Sequence, residues 1–191
     1  WVGTYRGGLS RMEGQRWINF NTPQGLNDAF VYDQEFTEDA IWIATWSGAN
    51  RVSGDPLSRD SWESFTVENT NGGLINNWVY TIETGRDNSI WFGTEAGLSL
   101  FDGKTWLNWN HEDGLGASHK IVQRDNRQVT DSFKGGHHEQ QAVDLPNTES
   151  TDYRPNYIVS MLLDQANRLW IGTWGGGLSL FDPGKQIFRN F

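Results

Sequence analysis

Leu169-Trp170-Ile171-Gly172-Thr173-Trp174-Gly175-Gly176-Gly177-Leu178-Ser179-Leu180-Phe181-Asp182 is the fullest copy of a stretch that occurs four times in the chain. Trp91-Phe92-Gly93-Thr94 with Gly97-Leu98-Ser99-Leu100-Phe101-Asp102 is a second copy, and Trp42-Ile43-Ala44-Thr45 with Gly48-Ala49-Asn50-Arg51 a third. The chain opens on the fourth, Trp1-Val2-Gly3-Thr4 followed by Gly8-Leu9-Ser10-Arg11. Each copy closes on two aromatic residues three apart: Trp17/Phe20, Trp62/Phe65, Trp106/Trp109 and Phe188/Phe191. Self-similarity of this density sets the architecture before any single residue is read.

Ahead of the last three copies lies a β-rich run ending in a polar turn. Ala29-Phe30-Val31-Tyr32 leads to Glu38-Asp39-Ala40, Trp78-Val79-Tyr80-Thr81-Ile82 to Arg86-Asp87-Asn88-Ser89, and Tyr157 to Leu163 to Gln165-Ala166-Asn167-Arg168. Asp39, Asn88 and Asn167 each stand three residues before their Trp, and Asn and Asp tolerate the positive φ of tight turns. Each unit therefore reads as strand A, turn, strand B (Trp-x-Gly-Thr), glycine turn, strand C, turn and strand D. Gly25-Leu26, Gly73-Leu74 and Gly114-Leu115 mark the connections onward.

The motif tryptophans Trp1, Trp42, Trp91 and Trp170 are spaced 41, 49 and 79 residues apart. A period of about 40–50 residues with four strands per unit is the signature of a β-propeller. A solenoid of that period is usually helical, and no segment shows a 3.6-residue apolar period. The expected fold is all-β: a β-propeller of four-stranded antiparallel blades, with repeats at about 1–26, 27–74, 75–115 and 156–191. Trp1, Trp42, Trp91 and Trp170 are expected in the core, filling the wedge between neighbouring blades.

The last interval exceeds a blade of about 45 residues by about 30–35. The surplus at 116–155 is polar and reads either as an insertion loop or as a degenerate blade with His119-Lys120-Ile121-Val122 as a weak strand. Four B-C-D sets meet only three A strands, which leaves a sheet edge open. The expectation is a four-blade segment of a larger propeller, or self-association through that edge.

Whole-chain properties narrow the classes of function. Net charge is −9 over 191 residues, which argues against nucleic acid, since phosphate binding needs clustered Lys and Arg. No apolar run approaches 18 residues, so no membrane contact is expected of this segment. There is no cysteine, hence no disulfide. No signal peptide is read, and position 1 is a Trp in mid-motif rather than a Met, which leaves room for a leader or anchor upstream.

The pattern Asp/Asn-x-x-Trp-Ile-Gly-Thr-x-x-Gly-Gly-Leu-x-x-Phe-Asp, followed by aromatic-x-x-aromatic and Gly-Leu, resembles the two-component regulator propeller repeat. Leu169 to Asp182 carries it almost residue for residue and Ile90 to Asp102 nearly so. Residues 41–65 depart from it, with Ala44 at a glycine position and Asn50-Arg51 at an apolar pair. The resemblance implies a propeller of about seven blades in the extracytoplasmic, periplasmic or extracellular part of a membrane-anchored bacterial signalling protein. Such proteins are often hybrid histidine kinases and sometimes diguanylate cyclases, with a β-sandwich between propeller and membrane, and some gut-bacterial members sense oligosaccharides.

The residues that follow each Trp-x-Gly/Ala-Thr lie at the B–C turns, on one face of the disc. Tyr5, Trp46 and Trp174 offer aromatic surface there for stacking on sugars, and Arg6 and Glu95 offer polar groups for hydroxyls. The competing reading is that these side chains cap the blade tops. His137, His138 and Glu139 are weak metal candidates. Imidazole and carboxylate suit zinc or nickel, but adjacent histidines converge poorly on one tetrahedral ion, so a solvated loop is the simpler reading. No nucleophile motif or phosphate loop is present, and no carboxylate is expected in an apolar setting that would raise its pKa. The sequence thus reads as a non-enzymatic sensor propeller without cofactor. It would bind an oligosaccharide, another small ligand or an adjoining domain of the same polypeptide. A protein–protein scaffold, or a carbohydrate-active hydrolase or lyase, are the alternatives.

Overall fold

A computed structural model describes residues 1–122 and 153–191. The strands in chain order are β1 (Val2–Thr4), β2 (Gly8–Glu13), β3 (Arg16–Phe20), β4 (Val31–Phe36), β5 (Ile41–Thr45), β6 (Gly48–Val52), β7 (Trp62–Phe65) and β8 (Val79–Thr84). They continue with β9 (Ile90–Thr94), β10 (Gly97–Phe101), β11 (Trp106–Trp109), β12 (Arg154–Leu163), β13 (Leu169–Trp174), β14 (Gly177–Asp182) and β15 (Ile187–Asn190). They form four antiparallel meanders, β1-β2-β3, β4-β5-β6-β7, β8-β9-β10-β11 and β12-β13-β14-β15. These are four propeller blades, the first with three strands.

The repeated motif is explained by the B–C turn it builds. In every blade the motif threonine hydroxyl donates to a carbonyl in its own turn: Thr4 to Gly8 at 2.9 Å, Thr45 to Gly48 at 2.7 Å, Thr94 to Gly97 at 2.8 Å and Thr173 to Gly177 at 3.0 Å. In the first and third blades the glycine before it answers to the neighbouring blade, Gly3 facing Val31 and Gly93 facing Ile158. A Cβ on Gly93 would lie 2.6 Å from Ile158 of the next inner strand, so only hydrogen fits. Ala44 in the second blade packs instead within the cluster that holds Val79.

The core is not inside the blades but between them. One seam joins Leu9, Phe20 and Leu26 to Val31, Ile43 and Val52. A second joins Trp42, Ala44 and Phe65 to Val79, Ile90 and Phe92. A third joins Trp91, Leu98 and Trp109 to Ile158, Leu169 and Phe181. Each seam begins with the motif Trp of the earlier blade. Trp42 and Trp91 are 4% and 3% exposed. Trp1 and Trp170 differ from the expectation of a core position and are half-buried. Trp1 borders the first seam from a blade with no inner strand, and Trp170 faces the side of the fourth blade on which no further described blade packs, stacked 5.8 Å from Phe191.

Two local expectations are corrected. Asn88 and Asn167 take positive φ of 62° and 59°, but Asp39 does not. The first two turns close as Gly85 N to Ser89 O and Asp164 N to Arg168 O, whereas the shorter Thr37-to-Ala40 turn leaves only Glu38 and Asp39 at its tip. Residues 119–122 form a helical turn rather than a weak strand, opened by amides of Ile121 and Val122 donating to the Ser118 carbonyl. Most of the 116–155 surplus, with His137, His138 and Glu139, lies outside the described residues. Where that stretch rejoins the fold, the Tyr153 hydroxyl donates to the Ala117 carbonyl at 2.6 Å and the His111 amide donates to Asn156 Oδ1 at 2.5 Å.

Candidate functional site

Two structural devices bring aromatic side chains to the B–C end of the inner strands. The first is register: Val31 pairs with Thr45, Val79 with Thr94 and Ile158 with Thr173. Phe30, Trp78 and Tyr157, one residue earlier, therefore stand beside the B–C turns, and the amides of Trp46 and Glu95 donate to the carbonyls of Phe30 and Trp78. The second device is a β-bulge between Val31 and Asp33, repeated between Val79 and Thr81 and between Ile158 and Ser160. A bulge re-aims a side chain out of the ladder, and the residues so placed are Tyr32, Tyr80 and Val159.

The result is a belt of rings that crosses all four blades. In its outer row Tyr5 of the first blade meets Phe30 edge-on at 4.5 Å, Phe30 meets Trp46 at 4.9 Å, and Trp46 meets Trp78 of the third blade at 5.2 Å. In its inner row Tyr32 lies 4.8 Å from Tyr80, Tyr80 lies 4.5 Å from Tyr157, and Tyr157 stacks on Trp174 at 5.7 Å. Tyr5 joins the rows, 6.4 Å from Tyr32. Most of these rings are half-buried against one another, but Tyr5, Trp78 and Trp174 are 67%, 37% and 50% exposed. Those three present free ring surface to solvent.

Charge enters the belt at two points. Glu95 stands where the other blades have an aromatic residue, and it pairs with Arg154 at 3.3 Å. Arg6 lays its guanidinium over Phe30, 5.5 Å from the ring centroid. Burial holds the Tyr80 hydroxyl well above the ordinary tyrosine range, assisted by its bond with Tyr157, and burial raises Tyr32 as well. The Tyr80 and Tyr32 hydroxyls therefore stay protonated and can both donate and accept.

All five sequence-expected residues, Tyr5, Arg6, Trp46, Glu95 and Trp174, lie in or against this belt. Five more belong to it: Phe30, Tyr32, Trp78, Tyr80 and Tyr157. The signal for four of them is the aromatic-x-aromatic spacing Phe30/Tyr32 and Trp78/Tyr80, read there only as β-rich strand, whereas Tyr157 is followed by Val159 and lacks it. Below the belt, the expectation that no carboxyl has a raised pKa is corrected at Glu83. Burial pushes it up, with Glu35 and Asp33 adding to the shift, although the Leu163 backbone donates to it. Among the described residues no three or more His, Cys, Asp and Glu converge on a metal position.

On the opposite face, a cleft of about 480 Å³ opens between the second and third blades, lined by Trp42, Arg51, Asp39, Glu63 and Phe101. Arg51 fills much of its charge demand internally, bonded to Asp39 at 2.5 Å and set near Glu63 at 3.7 Å.

The two-component regulator propeller profile matches residues 73–96 and 152–175. Among solved structures, the extracellular domain assigned to the hybrid two component system BT3049 of B. thetaiotaomicron superposes with a TM-score of 0.66 at 18% identity, over 99% of this chain and 21% of that one. The extracellular domain assigned to the hybrid two component system BT4673 of the same organism gives 0.51 at 20% identity, over 84% of this chain and 16% of that one. PorZ, a surface component of the type-IX secretion system of Porphyromonas gingivalis, gives 0.58 at 15% identity, over 99% and 25%. The chain thus spans a quarter or less of the length of these structures, and at such identity the likeness is one of fold. A comparison with curated protein sequences finds no match. No described helix is long and apolar enough to cross a membrane. The chain carries the two-component regulator propeller repeat, in the stretches that hold the first two strands of its third and fourth blades.

Proposed function

We propose that this chain is a ligand-binding sensor propeller segment of an extracellular or periplasmic signalling protein, and that it takes a saccharide on the aromatic belt. The observation that carries the reading is the belt itself: one continuous line of rings across four blades, with Tyr5, Trp78 and Trp174 left exposed. Sugar rings carry apolar C–H faces that stack on aromatic surface, and hydroxyls that need partners of both senses. The protonated tyrosines supply those partners.

The same geometry supports a role in transmission. Every belt contact between Tyr32, Tyr80 and Tyr157 joins two blades. A ligand laid across them favours one arrangement of the blades over another, and differential affinity for two arrangements is what a signal requires. Adjoining parts of the same polypeptide receive that bias. The exposed apolar side chains of the fourth blade, Leu178, Ile187 and Phe191, fit contact with such a neighbour.

A glycan array followed by thermal-shift measurement tests the reading. A ligand present at 100 times its dissociation constant stabilises the fold by about 2.7 kcal/mol. Trp174→Ala and Tyr5→Ala should each remove most of that shift. Absence of binding to any saccharide, or binding untouched by both substitutions, would overturn it.

A further inference from the structure

The first blade differs from the rest at the tip of its B–C turn. Tyr5, Arg6 and Gly7 join β1 to β2, and Trp174, Gly175 and Gly176 make a turn of equal length in the fourth blade if counted between the paired threonine and glycine. The second and third blades use two residues. In the fourth blade the middle position is Gly175 at φ +76°, while in the first it is Arg6 at φ +75°. An L-residue held in the left-handed region is strained, and strain of this kind gathers at functional sites. Glycine serves the same turn elsewhere in this chain, so the arginine is not there for the backbone.

Its surroundings show what it offers. The guanidinium sits over Phe30, whose ring is also met edge-on by the exposed Tyr5. Arg6 is exposed and has no carboxylate at ion-pair distance among the described residues. Asp28, two residues before Phe30, is engaged elsewhere: its carboxylate accepts from the Phe30 amide at 2.9 Å and from the Ser47 hydroxyl at 2.8 Å. At the other charged point of the belt, Arg154 already has Glu95.

We propose that Arg6 sets the specificity of the belt for an acidic saccharide, its guanidinium receiving an oxyanion on a sugar ring that lies against Tyr5. The oxyanion is a hexuronate carboxylate or a sulfate ester. Both present paired oxygens that match the planar guanidinium fork, and stacking on Phe30 holds that fork ready. This inference rests on the saccharide reading of the belt.

The test is an array of uronate-bearing, sulfated and neutral oligosaccharides, probed with the wild-type chain and with Arg6→Ala, Arg6→Gly, Arg6→Lys and Tyr5→Ala. Acidic members should bind, and Arg6→Ala and Arg6→Gly should weaken them at least tenfold, with Arg6→Lys between. Carboxyl reduction of a uronate ligand, or desulfation of a sulfated one, should reproduce the loss and identify which oxyanion is read. Arg6→Gly should at the same time raise the melting temperature, since glycine relieves the turn; that pairing of gained stability with lost binding separates recognition from support of the fold. Binding of neutral sugars alone, weakened by Tyr5→Ala and untouched at Arg6, would overturn this inference and leave the belt standing. Binding of no saccharide would overturn both.

Discussion

The Thr81 hydroxyl donates to the Asp33 carboxylate across the boundary between the second and third blades, at 2.9 Å, and the same carboxylate oxygen accepts the Ile82 amide at 3.0 Å. Among the described residues no backbone ladder joins one blade to the next. Polar cross-links of this kind therefore fix how two inner strands slide past each other, a role that apolar seams, being non-directional, perform poorly.

Removing that cross-link should be felt. Asp33→Ala leaves the Thr81 hydroxyl and a part-buried amide without their acceptor, which costs about 2 kcal/mol. Asp33→Asn keeps one acceptor oxygen and should cost roughly half as much. Urea unfolding of the two variants checks the order, and equal losses would contradict the assignment.

The motif tryptophans should not behave alike. Trp42→Ala and Trp91→Ala empty a closed seam and should cost about 3–5 kcal/mol each. Trp170→Ala removes a half-buried ring and should cost about 1–2 kcal/mol, since less surface returns to water. Thermal unfolding of the three variants in parallel decides the matter.

Gly93 is predicted to refuse even a methyl group. Gly93→Ala drives Cβ into Ile158 and Thr81, both at 2.6 Å, and overpacking of that kind costs about 1–3 kcal/mol. Ile158→Ala in the same chain should recover part of the loss by making room. The double-mutant cycle reads the coupling directly, and strict additivity would show that the two residues do not meet.

Acid should loosen the outer turns before the seams. The Thr105 hydroxyl and backbone amides hold the Asp102 carboxyl down at about 2, and Arg168 does the same for Asp164, also at about 2. Both values lie below the unfolded one, so the two groups favour the folded state above pH about 4. That contribution is lost as pH falls from about 4 toward 2. Asp102→Asn and Asp164→Asn should each flatten the dependence of stability on pH within that window, lowering stability at neutral pH while converging on the wild type near pH about 2, as followed by circular dichroism.

The blade architecture was legible because the backbone demands it. Threonine bonding its own turn is imposed on every described blade, and a small residue before it and a tryptophan three places ahead accompany it, so the pattern recurs and can be seen. The belt was only half legible. Tyr5, Trp46 and Trp174 follow the motif at a fixed offset, whereas Tyr32 and Tyr80 reach it through a bulge, and a bulge is a property of pairing that no run of residues announces. The Asp39 turn misled for a related reason, since the loop is one residue tighter than those at Asn88 and Asn167 although the residue type fits all three. Trp1 and Trp170 carry the same letters as Trp42 and Trp91, but burial of a seam residue depends on what lies beyond its own blade.

Since the blades are coupled side chain to side chain, the curvature of the arc is set by the sizes of the rings that touch along it. Replacing one of them, or wedging a foreign ring between Tyr80 and Tyr157, alters an angle rather than a bond. On the proposed reading, a saccharide seated there would change that bend, and a lever attached at either end would amplify it.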